Sequence, residues 1–258
     1  MCIRDSYETA QIAIGDNLLS LQCVKDFFRL NKGFVVKRGL PKKSQFNALV
    51  VLSHYIEKQI KGKSSIWIAQ QEGRAKDGND KTNPALIKML YLSQRKSLVR
   101  FSEYINQLKI VPVSISYEYN PCDKLIAEEL HRKSLSNGSY TKSKGEDERS
   151  MLIGIIGEKG KVHISFGTQL SGNFSCEEDV AVEIDRQIIS NYKLWDTNYI
   201  AFEKLFPNEC YVNRKIPLHI RKKFLSRIRK APKDLQRYML MMYANPVVNK
   251  KKLNELNI

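Results

Sequence analysis

The chain has 258 residues and a formal net charge of +16, with 43 lysines and arginines against 27 acidic residues. Hydrophobic residues make up 42% and charged residues 27%, which is typical of a folded protein and excludes disordered, collagen-like and disulfide-scaffold classes. The charge favours an anionic partner: a phosphorylated metabolite, an anionic membrane surface or a nucleic acid.

The cysteines and the hydropathy pattern indicate the cellular setting. The five cysteines are scattered, with no C-x-x-C pair and no spacing typical of zinc ligands. This pattern predicts a reduced intracellular compartment and no metal site. No apolar run approaches the ~20 residues needed to cross a bilayer, so any membrane contact is predicted to be peripheral.

From Gln11 onward, short β-type runs alternate with helical runs. This alternation favours an α/β fold with a mostly parallel central sheet flanked by helices. The predicted strands are Ile12–Ile14, Phe34–Val36, Ser65–Gln70, Ile110–Tyr117 and Lys161–Phe166. The predicted helices are Leu18–Leu30, Pro41–Ile60, Pro84–Leu92, Phe101–Leu108 and Glu177–Tyr192.

Composition divides the chain into an α/β domain over 7–195 and a basic helical C-terminal region over 196–258. Within the domain, the Ser, Gly, Lys and acidic residues of 134–147 predict a mobile insertion. Between Arg214 and Arg237 ten basic residues accompany one acid, and the apolar run Met239–Ala244 follows. A basic amphipathic helix near a lipid surface and a solvated helix packed on the domain fit this pattern about equally well.

Three segments carry the functional signal. They are Phe34-Val35-Val36-Lys37-Arg38, the run Ile66–Arg74 that ends in Glu72-Gly73-Arg74, and Ile110-Val111-Pro112-Val113. In order and spacing they resemble the second, third and fourth sequence blocks of the glycerolipid acyltransferase superfamily, which have the forms F-x-x-x-R, E-G-x-R and x-P-V/I. The stretch Ile12–Leu18 is similar to the I-A-x-G-x-N-L sequence that precedes the second block in bacterial glycerol-3-phosphate acyltransferases. The similarity covers about residues 10 to 120.

This resemblance implies a glycerol-3-phosphate acyltransferase-like fold and an enzyme of phospholipid biosynthesis. Such an enzyme transfers a fatty acyl group from acyl-CoA or acyl carrier protein to a hydroxyl of glycerol 3-phosphate or 1-acylglycerol 3-phosphate. The acyl donor is a co-substrate, and no cofactor or metal is expected. The resemblance also implies a cytoplasmic protein, peripheral on the inner face of the cell membrane.

The residues of the three blocks suit a phosphate-bearing acceptor. Arginine supplies a fork of donors that stays charged near neutral pH, so Arg38 and Arg74 are predicted to clamp the phosphate. Glu72 is predicted to hold an arginine or to accept from a substrate hydroxyl, and Gly73 permits close approach of the backbone. The remaining predicted substrate-binding residues are Lys37 and Lys76, which add positive charge, and Pro112, which shapes the pocket wall.

The catalytic block of the family, H-x-x-x-x-D, is missing from this sequence. In that block the histidine acts as general base and the aspartate orients it. The residues five positions after the four histidines His54, His131, His163 and His219 are Gln59, Ser136, Thr168 and Phe224. We therefore expect the block upstream of Gln11, with an adapter-like start at Met1–Ser6, and no activity from the chain as given. His54 is predicted to be a packed core histidine and His163 a structural one.

Two other classes of function remain open. A non-catalytic lipid- or phosphate-binding protein would bind glycerol 3-phosphate without turnover. A basic nucleic-acid-binding protein would show steeply salt-dependent binding to DNA or RNA, although the basic block carries no named motif. A phosphate loop of the form G-x-x-x-x-G-K-S/T and a G-x-S-x-G nucleophile elbow are both absent from the sequence.

Overall fold

The computed structural model describes residues 9–16, 19, 22–37, 39–71, 75–136, 143, 145–209 and 215–256. Within these ranges it has a mixed α/β fold. The strands are β1 (Gln11–Gly15), β2 (Gly33–Val36), β3 (Ile66–Trp67), β4 (Val113–Tyr117) and β5 (Val162–Phe166). The helices are α1 (Gln22–Leu30), α2 (Lys42–Lys61), α3 (Pro84–Tyr91), α4 (Phe101–Gln107), α5 (Asp123–Leu135), α6 (Glu146–Ile156), α7 (Glu177–Asn191), α8 (Asp196–Leu205), α9 (Leu218–Arg229) and α10 (Lys233–Leu256).

The chain divides into two compact units that interleave in sequence. The first unit contains Met1–Gly73, Thr82–Ile110 and Gln169–Glu183. The second unit contains Arg74–Lys81, Val111–Thr168 and Ile184–Ile258. The C-terminal region over 196–258 is helical in its described part and belongs wholly to the second unit. The insertion predicted over 134–147 includes residues 137–142 and 144, which lie outside the described residues.

A parallel three-stranded sheet with the order β2-β1-β3 organises the first unit. Helix α1 packs on one face, where a Cβ atom added to Gly33 would lie 2.6 Å from Ile14 Cδ1 and 2.8 Å from the carbonyl oxygen of Phe28. Only glycine allows this close approach of helix and strand. Helix α2 covers the opposite face, where the rings of Phe34 and Tyr55 lie 5.2 Å apart. The predicted parallel sheet is confirmed for these strands.

The second unit contains a separate antiparallel pair, β4 and β5, in which Ile115 is opposite Ile164. The prediction of one mostly parallel central sheet is therefore wrong for these two strands. In a half-buried pair of antiparallel strands the apolar face is usually the buried one, but here the polar face is buried. Ser114 and Ser116 are 3% and 1% exposed, whereas Ile164 and Phe166 are 54% and 69% exposed. Because β5 follows β4 after the helices α5 and α6, the chain can return antiparallel without a crossover.

Helix α10 lies at the centre of the helical core of the second unit, packed against α5, α8 and α9. The apolar run Met239–Ala244 belongs to this helix and is buried for most of its length. That run is therefore core, and it is not available to a lipid surface. Phe224 and Ile228 bury the inner face of α9 in the same cluster.

A buried carboxylate ties α5, α9 and α10 together. The side chain of Asp123 is 4% exposed and forms a two-pronged contact with Arg227, at 2.6 Å from Oδ2 to Nε and 3.0 Å from Oδ1 to Nη2. The Tyr243 hydroxyl donates to Asp123 Oδ2 at 2.9 Å and accepts from the backbone N–H of Asn120 at 2.8 Å. Burial and the neighbouring carboxylate raise the pKa of Tyr243 well above its ordinary value, so this hydroxyl keeps its proton.

We expect Arg227→Met to lower the free energy of unfolding by about 3 kcal/mol, because it leaves the carboxylate of Asp123 buried without its cation. Urea unfolding checks this value. Lys222→Met, on the exposed side of the same helix, is the matched control and should change stability by less than about 0.5 kcal/mol. The double variant Asp123→Asn/Arg227→Met should be more stable than Arg227→Met alone. Equal stabilities for Arg227→Met and Lys222→Met would contradict the assignment.

Candidate functional site

Two of the predicted blocks begin in strands of the parallel sheet. Strand β2 ends at Val36 and β3 ends at Trp67, with β1 between them. Since all three strands are parallel, the carboxyl ends of β2 and β3 lie at the same edge of the sheet, about 10 Å apart at the usual strand spacing. This edge is the usual location of ligand sites in α/β sheets. The two arginines of the predicted clamp come after β-type runs, so the sequence predicts that neighbouring parallel strands bring them to one edge of the sheet. In the structure β1, which was also predicted, lies between β2 and β3.

The segment after β2 is held by the first turns of α2. Gln45 Nε2 donates to the carbonyl oxygen of Lys37 at 3.1 Å, and Gln45 Oε1 accepts from the backbone N–H of Leu40 at 3.3 Å. The side chain of Lys37 is exposed at this edge. Arg38, the first arginine of the predicted clamp, lies outside the described residues.

The third block also falls mostly outside the described residues, which omit Glu72, Gly73 and Arg74. The residues on either side are described. In the first unit, the backbone N–H of Asn83 donates to the carbonyl oxygen of Gln70 at 2.9 Å, and Asn83 then caps α3 through Ala85. Gln70 and Asn83, the described residues on either side of the block, are therefore held together by a backbone hydrogen bond.

In the second unit, Lys76 forms an ion pair with Glu129 of α5. The same carboxylate accepts from Lys133 at 3.1 Å, so two lysines share this acid. Burial lowers the pKa of Lys76, against the opposing effect of Glu129. Burial alone would raise the pKa of Glu129, but the hydrogen bonds from the two lysines outweigh it and hold that pKa below its ordinary value.

Helix α10 holds the residues that follow Lys76. Asn245 Nδ2 donates to the carbonyl oxygen of Asp77 at 2.6 Å, and Asn249 Nδ2 donates to that of Gly78 at 3.3 Å. Gly78 has a φ of +80°, and a Cβ atom there would lie 2.5 Å from the carbonyl oxygen of Met242. The loop therefore packs backbone to backbone on α10. Sequence reasoning missed Glu129, Asn245 and Asn249, because they are far along the chain and belong to no motif.

Pro112 is buried and immediately precedes β4, as the missing N–H predicts. Its carbonyl oxygen accepts from the backbone N–H of Gly167 at 2.8 Å and so extends the β4–β5 ladder by one bond. On the buried face of this ribbon, Ser116 is opposite His163. Among the described residues, neither the Ser116 hydroxyl nor His163 Nδ1 has a hydrogen-bond partner.

The histidines provide no catalytic dyad in the described part of the chain. The prediction that His54 packs in the core is wrong: its side chain is 59% exposed, with Nδ1 3.7 Å from Glu57. The apolar spacing of α2 places Leu52 and Ile56 in the core, which turns His54 outward. No group of three or more metal-ligating side chains occurs among the described residues.

Helices in the described ranges are too short or too polar to cross a bilayer. Comparison with protein-family models, with curated proteins and with solved structures gave no match. The functional reading therefore depends on the residues themselves.

We expect Glu129→Gln to lower the free energy of unfolding by about 2 kcal/mol at neutral pH, since it removes the charge that neutralises Lys76 and Lys133. Because the folded pKa of Glu129 lies below the ordinary 4.5, its stabilising contribution is fully present above that pH. The difference between wild type and variant should shrink as the pH falls through the lowered pKa.

Urea unfolding between pH 7 and pH 3 measures this difference, with Glu128→Gln on the same helix as the control. A difference between wild type and Glu129→Gln that stays constant to pH 3 would show that the ion pairs do not contribute it.

Proposed function

We propose that the chain is part of a glycerolipid acyltransferase that acts on glycerol 3-phosphate or its 1-acyl derivative. The acyl donor would be acyl-CoA or acyl carrier protein. The observation that carries the proposal joins sequence and fold: the second and third family-like blocks begin in two parallel strands, β2 and β3, whose carboxyl ends share one edge of the sheet.

Acceptor binding is the part of the reaction that this chain's residues supply. Arg38 and Arg74 would each offer a planar pair of N–H donors to phosphate oxygens. Lys37, exposed at the edge after β2, would strengthen the local positive potential. Lys76 already forms an ion pair with Glu129, so we expect it to contribute less to phosphate binding and more to holding the loop in place.

The resemblance implies direct transfer without a covalent enzyme intermediate. The acceptor hydroxyl loses its proton to a histidine of an H-x-x-x-x-D block, and its oxygen attacks the thioester carbonyl carbon. The carbon–sulfur bond then breaks, and the histidine returns the proton to the departing thiol. The match to the third block is incomplete, because Arg74 follows Gly73 directly where the E-G-x-R form has one residue between them.

One observation favours a second candidate, a lipid- or phosphate-binding protein without turnover. No histidine in the sequence has an acid five positions later. The two candidates share the phosphate site and differ only in whether acyl transfer follows. An activity assay distinguishes the two candidate functions. The reading frame is extended upstream, and the resulting protein is assayed for transfer from acyl-CoA and acyl carrier protein to each acceptor.

In the extended protein, we expect Arg74→Ala to raise the acceptor KM or lower kcat, with kcat/KM falling at least tenfold. The reason is the loss of charge-assisted hydrogen bonds to the phosphate, worth about 1.5–3 kcal/mol. Arg100→Ala is the matched control, since Arg100 is exposed at the start of α4 and its loss should leave the kinetics unchanged.

Calorimetric titration with glycerol 3-phosphate provides a second readout that needs no turnover. Binding without transfer would favour the non-catalytic candidate. Wild-type kinetics for Arg74→Ala with both acceptors would remove this arginine from the phosphate site, and salt-dependent binding to RNA or DNA with no response to glycerol 3-phosphate would overturn both candidates.

A further inference from the structure

Helix α6 turns an apolar face to solvent. Leu152, Ile155 and Ile156 are 56%, 71% and 72% exposed, and with Glu148 and Arg149 they occupy one side of the helix. The opposite side carries Ser150, which is buried, and Ile153, which packs on the helical core of the second unit. Single exposed apolar side chains are common in proteins, but three on one helix face indicate an interaction surface.

Helix α9 presents a cationic face. Its inner side buries Phe224 and Ile228, and successive residues at 100° intervals leave one continuous arc exposed. That arc contains four cations, one histidine, one serine and one leucine, with no acid: Leu218, His219, Lys222, Lys223, Ser226, Arg229 and Lys230. Leu218 is 63% exposed at its first turn.

An ion pair joins the two helices. Glu158, two residues after α6 ends, accepts from Lys223 Nζ at 2.8 Å. The same ammonium lies 5.0 Å from the centroid of the Tyr119 ring, and the Arg227 guanidinium lies 5.7 Å from it. The carboxyl end of α6 is therefore fixed beside the cationic arc of α9. Both helices belong to the second unit.

We infer that α6 and α9 together form a docking surface for an anionic phospholipid bilayer. Leu152, Ile155 and Ile156 enter the boundary between headgroups and acyl chains, and Lys222, Arg229 and Lys230 contact the headgroup phosphates. Apolar side chains beside lysines and arginines are the combination that holds a helix at an anionic membrane surface. A nucleic acid would use the cations but leave the apolar face of α6 exposed, since protein–DNA interfaces are polar.

This surface would bring the proposed acyltransferase into contact with a membrane. The inference rests on the proposed function only to explain why the protein would approach a lipid surface. Docking itself needs neither transfer nor the phosphate clamp. It also places the lipid-facing apolar residues on α6, whereas the apolar run Met239–Ala244 lies in the core.

Vesicle flotation of the full chain tests the inference independently of any acyl transfer. We expect binding to vesicles of phosphatidylcholine with phosphatidylglycerol, and at least tenfold weaker binding to phosphatidylcholine alone. Leu152→Ser/Ile155→Ser should weaken binding to the anionic vesicles at least tenfold while leaving the circular dichroism spectrum unchanged. Leu98→Ser, which removes a fully exposed leucine of the first unit, is the matched control and should bind like wild type.

Charge reversal forms the second arm. Lys222→Glu/Lys230→Glu should abolish binding to the anionic vesicles, whereas the same reversal of two exposed lysines in the first unit, Lys58→Glu/Lys96→Glu, should reduce it less than threefold. If the two pairs of substitutions weakened vesicle binding equally, net charge alone would explain the attraction, and the proposed docking surface would be overturned.

Other outcomes point to other occupants. Wild-type binding by Leu152→Ser/Ile155→Ser would overturn the inference. Concentration-dependent dimerisation that this variant abolishes, without vesicle binding by the wild type, would assign the face to a second copy of the chain. Binding to RNA that depends on Lys222 and Lys230 but not on Leu152, again without vesicle binding, would assign the arc to nucleic acid. Loss of acyl transfer in the extended protein with intact flotation would count against the proposed function and leave this surface standing.

Discussion

The buried carboxylate of Asp123 is the constraint on which the second unit depends. A carboxylate out of water is unstable unless a cation and hydrogen-bond donors surround it. Here Arg227 supplies the cation from α9 and Tyr243 supplies a hydroxyl from α10. Helix α5 must therefore meet α9 and α10 at one point, although it lies about 100 residues before them in sequence. The same contact fixes the rotation of α9, because Arg227 must face inward beside Phe224 and Ile228.

That fixed rotation determines what the rest of α9 can do. With the inner side packed in the core, Lys222, Lys223 and Arg229 are placed on the outer arc and stay in contact with solvent. Helix α10 also holds residues 77–79 through Asn245 and Asn249. The C-terminal region is thus part of the framework that positions the residues after the third block. A sequence comparison confined to residues 10–120 does not reveal this dependence.

The parts of the fold that could be predicted from sequence have local causes. The β-branched and aromatic run of β2, and Pro41 before α2, each favour their element without help from distant residues. The β4–β5 ribbon could not be predicted in the same way. Alternation places Ile164 and Phe166 on one face, but which face becomes buried depends on packing elsewhere.

Helix α6 was not predicted because its first turn, Glu146–Glu148, shares the polar composition of the preceding loop. For the candidate site, sequence predicted the shared strand edge and could not predict that Lys76 is paired, because Glu129 lies 53 residues away.

The lysines and arginines that give the net charge of +16 have different roles. Arg227 and Lys76 each neutralise a buried or partly buried acid, so they contribute to stability and little to the external field. Lys222, Arg229 and Lys230 lie on the exposed arc and are screened by salt. Arg38 and Arg74 would act on a phosphate at close range in the proposed clamp. A higher salt concentration weakens both the attraction of the arc to an anionic membrane and the attraction of the clamp to a phosphate. Salt dependence therefore does not distinguish membrane docking from acceptor binding. Substitutions can distinguish them, because the arc and the clamp share no residue.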